Sequence, residues 1–164
     1  MRTALEPPLR ALTWLVLGGW VGVLLFFPLV VAPAILRATA DLGSPEAGAR
    51  LVAEVLIPLE YAGVAAGAIL AALAAVRRLG SALVLLPLLL GGTTLAAHLF
   101  VTREMGRIRT AALGAAPDPA LTERYFRMHR LSRRLYTAIG AGALVFAAGL
   151  VAREMRAPAR RNVQ

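Results

Sequence analysis

The run ALTWLVLGGWVGVLLFFPLVVAPAIL, Ala11–Leu36, spans 26 residues without one acidic, basic or imidazole side chain. A helix needs roughly 20 apolar residues to cross the hydrocarbon of a bilayer. In lipid every backbone amide must also find its partner inside the segment, which a helix achieves by itself. This stretch therefore reads as a membrane-spanning helix. Three more runs follow: Val55–Val76, Leu79–Thr102 and Leu135–Ala152, of 22, 24 and 18 residues. Across all four the only such side chains are Glu60 and His98. The whole chain of 164 residues is 59% hydrophobic and 16% charged, with a mean hydropathy of +0.70. Those values exclude a soluble enzyme, a disordered chain and, with no cysteine, a disulfide scaffold. We expect one all-α domain over residues 1–164, a four-helix transmembrane bundle. Arg2 and Arg10 ahead of the first span and Ala38-Thr39-Ala40 behind it imitate a secretory signal. Its apolar length far exceeds the ~7–15 residues of a signal core, so it is expected to stay as a helix.

Net charge is +9, and all eighteen basic residues are arginine. A guanidinium fork suits lipid or nucleotide phosphate, while an arginine-rich composition and interfacial anchoring account for the same count without a ligand. No nucleic-acid motif accompanies the charge, so a membrane surface is the expected partner and nucleic acid is not. With the N-terminal side called A, arginines divide eight to ten between A and B. That bias is too small for the positive-inside rule to orient the chain.

Helix boundaries follow from local chemistry. Pro28 and Pro33 remove donors and should bend the second half of helix one. Asp41-Leu42-Gly43 closes a turn, and Ser44-Pro45-Glu46 starts helix two with a cap, a first-turn proline and an acid on the positive dipole end. Helix two thus begins about ten residues before its apolar span. Gly80-Ser81 makes a tight connection to helix three, which Pro87 and Gly91-Gly92 are expected to interrupt. Helix three then continues through Arg103 and Arg107 to Leu113 and stops at Gly114. Asp118-Pro119 starts helix four by the same cap logic. Residues 103–134 should form an arginine-rich hairpin beyond the membrane, and residues 156–164 a flexible basic tail. Helices two and four should each exceed 30 residues. Small residues at four-residue spacing (Gly18 and Gly22; Gly63, Gly67 and Ala71; Ala138 and Gly142) allow close helix approach, inside the bundle or in a homo-oligomer.

The unusual residues gather in the side-B half, so a site is expected to open there. Glu60 is the one acid inside a span, and a carboxylate at that depth needs a partner or a proton. Arg103 and Arg37 could pair with it; His98, His129, Ser132 and Tyr136 could hydrogen-bond to it. At 100° per residue Tyr125, Met128, His129, Ser132 and Tyr136 share one sector of helix four, and Arg127, Arg130 and Arg134 the opposite one. We therefore expect a cluster of Glu60, His98, Arg103, Tyr125, His129, Ser132 and Tyr136, with Glu60 and His129 together between helices two and four. His98, Met105, Met128 and His129 form a weak candidate set for copper or bis-histidine haem. The histidines lack regular spacing, so no metal or cofactor is expected.

Three motifs in order resemble the transmembrane-protein-205-like family across residues 14–152. The first is Gly19-Trp20-Val21-Gly22 with Phe26-Phe27 and Val31-Ala32-Pro33-Ala34. Ala47-Gly48 followed by Leu56-Ile57-Pro58-Leu59-Glu60-Tyr61 is the second. Tyr125-Phe126-Arg127-Met128-His129-Arg130-Leu131-Ser132 is the third. Thr102-Arg103 stands where that family has Pro-Arg, and Arg133-Arg134-Leu135-Tyr136 replaces an apolar step ending in Asn. The resemblance implies the four-span fold and the membrane location. It implies little about activity, since the family is largely of unknown function and one eukaryotic branch is associated with resistance to platinum drugs. No nucleophile–base pair, carboxylate dyad, phosphate loop or HExxH is present, so an enzyme is not expected. The expectation is a protein of a bacterial inner membrane that binds or moves a small solute, such as a soft metal or a cationic drug. A structural or partner-binding subunit and a haem or copper protein are the alternatives.

Overall fold

The computed structural model describes residues 2–40, 43 and 45–156. They form four long helices joined by short turns, with no strand among them. Helix α1 runs through Arg2–Phe26, a π-helical turn at Phe27–Val31, and Ala32–Ala40. Helix α2 is Pro45–Val76. Helix α3 joins Ser81–Ala97, a second π-turn at His98–Thr102, and Arg103–Leu113. Helix α4 is Pro119–Arg156. All four are long and apolar enough to cross a membrane, and the chain is a multi-pass membrane protein.

The lengths follow from the caps. Helices α2 and α4 contain 32 and 38 residues, or about 48 and 57 Å at 1.5 Å per residue. A hydrocarbon core of ~30 Å covers neither. Asp118 Oδ1 accepts the backbone N–H of Ala120 at 2.8 Å and of Leu121 at 3.3 Å, which is the expected cap. Gly114 closes α3 in an extended conformation, its N–H on the Thr110 carbonyl. Of the turn before α2 only Gly43 is described, in the left-handed region at φ 65°; the capping role of Ser44 and the tail 157–164 lie outside the described residues.

Helix α2 ends differently from the expected glycine turn. The N–H of Leu79 bonds Ala74 O, and that of Arg78 bonds Ala75 O. This Schellman pattern requires a left-handed residue at its hinge, and Arg78 occupies it at φ 54°. Gly80 follows at φ 104° and admits α3.

Two corrections concern α3. Pro87 and Gly91-Gly92 do not interrupt it; the helix is regular from Ser81 to Ala97. Pro87 and Gly91 lie instead where α2 and α3 cross, and a Cβ on Gly67 would stand 2.7 Å from the Pro87 carbonyl oxygen and 3.1 Å from Gly91 Cα. Small residues there serve contact between the two backbones rather than a break. The departure from α-geometry comes later, at His98–Thr102, where the N–H of Arg103 reaches back five residues to His98 O.

The apolar core draws on every helix: Leu17 and Trp20 from α1, Leu70 and Ala74 from α2, Leu79 and Leu90 from α3, Ile139, Ala143, Phe146 and Leu150 from α4. Helix α1 is the outermost. Of its most apolar stretch 11% is buried, against 39% for α2 and α3. A Cβ on Gly18 or Gly22 would meet nothing within 4 Å, so that pair packs on no helix of the bundle. Gly63, Gly67 and Gly142 pack inside it, with Gly142 against Leu90.

Beyond the apolar spans on side B, Ile108, Ala112 and Tyr125 make a second small core with Met105, Met128, Leu121 and Ala49. Ala49 belongs to α2, and Thr110 Oγ1 donates to Glu46 Oε1 at 2.6 Å. The protrusion is therefore a three-helix element, braced by the early turns of α2, rather than a free hairpin of α3 and α4.

Candidate functional site

The inward stripe of α2 reads Glu60, Gly63, Gly67, Leu70, Ala71 and Ala74, all buried. Their three- and four-residue spacing keeps them on one face. The glycines on this stripe bring α3 close, so a carboxylate two turns before Gly67 faces the same helix. Glu60 is 1% exposed. On α3 the matching stripe carries Leu90, Gly91, Thr94, Ala97, His98 and Val101, also buried.

Glu60 is held by three side chains from two helices. Its Oε2 lies 2.6 Å from His98 Nδ1. Its Oε1 accepts the Thr102 hydroxyl at 2.6 Å and the Tyr136 phenol in a short hydrogen bond. Beyond the imidazole, His98 Nε2 lies 3.0 Å from the Tyr61 hydroxyl, and the two rings stand 4.8 Å apart at 54°. Tyr61 is 52% exposed. The network thus runs from a dry interior at Glu60 to the rim of the bundle at Tyr61. Among the described residues no buried side-chain nitrogen or oxygen lacks a partner.

The bonding restricts where protons sit. A contact of 2.6 Å between a carboxylate oxygen and a ring nitrogen requires a proton between them. If it resides on Nδ1, neutral His98 presents Nε2 as an acceptor for the Tyr61 hydroxyl. With one further proton taken up, Glu60 becomes the neutral acid that donates to Nδ1, the ring proton sits on Nε2 and Tyr61 accepts. The two arrangements differ by one proton, and neither strands a neighbour. Both His98 and Thr102 lie in the π-turn, a geometry rare in helices and frequent at functional sites.

Of the expected cluster, Glu60, His98 and Tyr136 come together. Arg103 does not join them; it is exposed on the side of α3 facing a surface groove. Arg37 is likewise exposed. Tyr125 packs in the side-B core with its ring edge-on to Phe126. The expected pairing of Glu60 with His129 is corrected: His129 is exposed, and Tyr136 supplies the α4 contact. Met128 and Ser132 are half-buried and lie toward the middle of the inward arc; His129 lies about 80° round from the midpoint between them, at 100° per residue, on the edge of that arc. It also sits seven residues before Tyr136, about 10 Å along the helix. Ser132 is not among the partners of Glu60. The proposed metal donors are dispersed too: His98 has both ring nitrogens engaged, while Met105 and Met128 pack against the side-B core. Among the described residues no three His, Asp or Glu side chains group to hold a metal ion.

A second polar centre, at side A, carried no sequence signal beyond its charges. The Arg77 side chain is 2% exposed. Its guanidinium donates to Glu6 at 3.0 Å, Thr13 Oγ1 at 3.2 Å and Glu154 at 3.2 Å, and Arg10 pairs with the other Glu154 oxygen at 2.8 Å. It ties the ends of α1, α2 and α4 together. The charged helix ends on side A, away from the half where a site is expected to open, are thus organised as well. No protein family, curated protein or solved structure matches this chain.

Proposed function

We propose that this chain is a non-enzymatic protein of a bacterial inner membrane that binds or moves a small solute, exchanging a proton at the Glu60–His98 pair as it does so. The observation that carries this reading is the pair itself. An ionisable carboxylate buried within a span is expensive to keep, and here it shares a proton with an imidazole whose far nitrogen leads to the bundle rim. The solute class, a soft metal or a cationic drug, rests on the resemblance to the transmembrane-protein-205-like family, and membership of that family is part of the proposal. The two departures from that family's pattern, Thr102 and Tyr136, are the two hydroxyls on Glu60 Oε1, so the network is this chain's own version of the site.

The test uses the full chain in detergent at low buffer strength. Addition of tetraphenylphosphonium or cuprous ion should release protons from the wild type and none from Glu60→Gln. In proteoliposomes carrying a pH dye, the same solutes should drive proton flux only with the wild type. Equal solute uptake by wild type and Glu60→Gln would sink the proton-exchange reading. It would leave the second one, a structural or partner-binding subunit, which the complete satisfaction of the network also supports.

A further inference from the structure

We propose that the groove between α3 and α4 on side B binds the headgroup phosphate of an anionic phospholipid. The groove, about 540 Å³, is lined by Leu99, Phe100, Arg103, Glu104, Arg107, Arg124 and Met128. Its chemistry changes along its length. Leu99 and Phe100 close the last apolar turn of α3 and are 40% and 74% exposed, positions where acyl chains lie. Within one to two turns beyond them, Arg103 and Arg107 line the same wall, about 5–10 Å further along the axis. Arg124 faces them from α4.

Glu104 arranges this wall. One of its oxygens pairs with Arg124 at 2.8 Å and the other with Arg107 at 3.4 Å, so one carboxylate holds guanidinium groups from two helices side by side. Three arginines against one carboxylate leave the groove positive. Among the described residues no carboxylate lies within ion-pair distance of Arg103, which makes it the free fork. A phosphate diester presents the two acceptor oxygens that such a fork grips, and its glycerol and acyl chains continue toward Phe100 and Leu99. A free phosphate would satisfy the arginines but would leave the apolar end uncovered. The combined lining therefore selects the lipid. This site is independent of the proton reading, since no lining residue belongs to the Glu60 network.

The experiment exposes the full chain in a non-ionic detergent to equimolar phosphatidylglycerol and phosphatidylcholine and counts retained lipid by native mass spectrometry. The wild type should retain phosphatidylglycerol preferentially. Arg103→Gln and Arg124→Gln should each lower that retention about tenfold, the cost of one charge-assisted contact. Arg130→Gln, on the exposed opposite face of α4, removes equal charge and should leave retention unchanged. Arg103 has no protein ion pair, so its substitution tests the site without disturbing the Glu104 bridge. Unchanged retention in Arg103→Gln, an equal loss in Arg130→Gln, or displacement of the lipid by inorganic phosphate would each overturn the proposal.

Discussion

Replacing Glu60 separates a hydrogen-bonding role from mere volume. In Glu60→Leu three groups lose their acceptor in a dry interior: the Thr102 hydroxyl, the Tyr136 phenol and His98 Nδ1. Each stranded buried polar group costs about 1–3 kcal/mol, so the substitution should cost about 3–9 kcal/mol. Total stabilities of ~5–15 kcal/mol leave little beyond that. Glu60→Gln behaves differently. Its amide oxygen can still accept from Thr102 and Tyr136, and its amide nitrogen can donate to Nδ1 if the imidazole proton moves to Nε2. Tyr61 then accepts instead of donating. The cost falls to exchanging charge-assisted bonds for neutral ones, about 1–3 kcal/mol. Thermal unfolding in detergent, followed by Trp fluorescence, should rank wild type above Glu60→Gln and both far above Glu60→Leu. Nitrogen NMR of the imidazoles supplies the sharper readout, with His129→Asn used to assign the pair. The His98 proton should reside on Nε2 in Glu60→Gln. Equal stability of the two variants would refute the reasoning, as would a His98 tautomer in Glu60→Gln that keeps its proton on Nδ1.

Gly67→Val should destabilise by about 1–3 kcal/mol through overpacking at the α2–α3 crossing, whereas Gly18→Ala, with open space around it, should leave the melting temperature unchanged. Arg78→Gly should raise stability by about 0.5–1 kcal/mol, because a left-handed non-glycine residue costs ~1–2 kcal/mol and glycine's own entropy cost offsets part of the relief; a lower melting temperature would show that the arginine side chain matters there. Arg77→Met should cost about 3 kcal/mol, near the low end for breaking a buried ion pair, since Glu154 keeps Arg10. Arg77→Lys should recover only part of that loss, since an ammonium cannot reach Glu6, Thr13 and Glu154 together.

The four spans were legible because lipid demands long uncharged runs, and the cap at Asp118 because its chemistry is local. Glu60, His98 and Tyr136 were legible as residues that need partners. Their pairing was harder, since which α3 residues face α2 depends on the π-turn at His98–Thr102, and a one-residue shift of helical phase leaves no mark in composition. Thr102 was hidden for the same reason, as a threonine at the end of an apolar run looks like any other. His129 misled because a sector about 100° wide includes both its centre and its edge, and only packing decides which is buried. Pro87 and Gly91 look like breakers until their backbone contact across α2 is visible. Arg77 was concealed by proximity to a chain turn, where an exposed anchor and a three-way clamp have the same sequence.

The order in which Glu60 meets its partners bears on how the protein is made. The carboxylate leaves the ribosome 42 residues ahead of Thr102 and 76 ahead of Tyr136. At ~5–20 residues per second those intervals are about 2–8 and 4–15 seconds. Until α3 arrives, the membrane must accept α2 with its acid either protonated or held at the water boundary. Helix α1, the most apolar and least enclosed, can settle in lipid alone, but α2 becomes secure only after α3 and then α4 have been synthesised. Truncation before residue 98 should therefore leave α2 a target for membrane proteases, while truncation after Arg156, at the end of α4, should spare it.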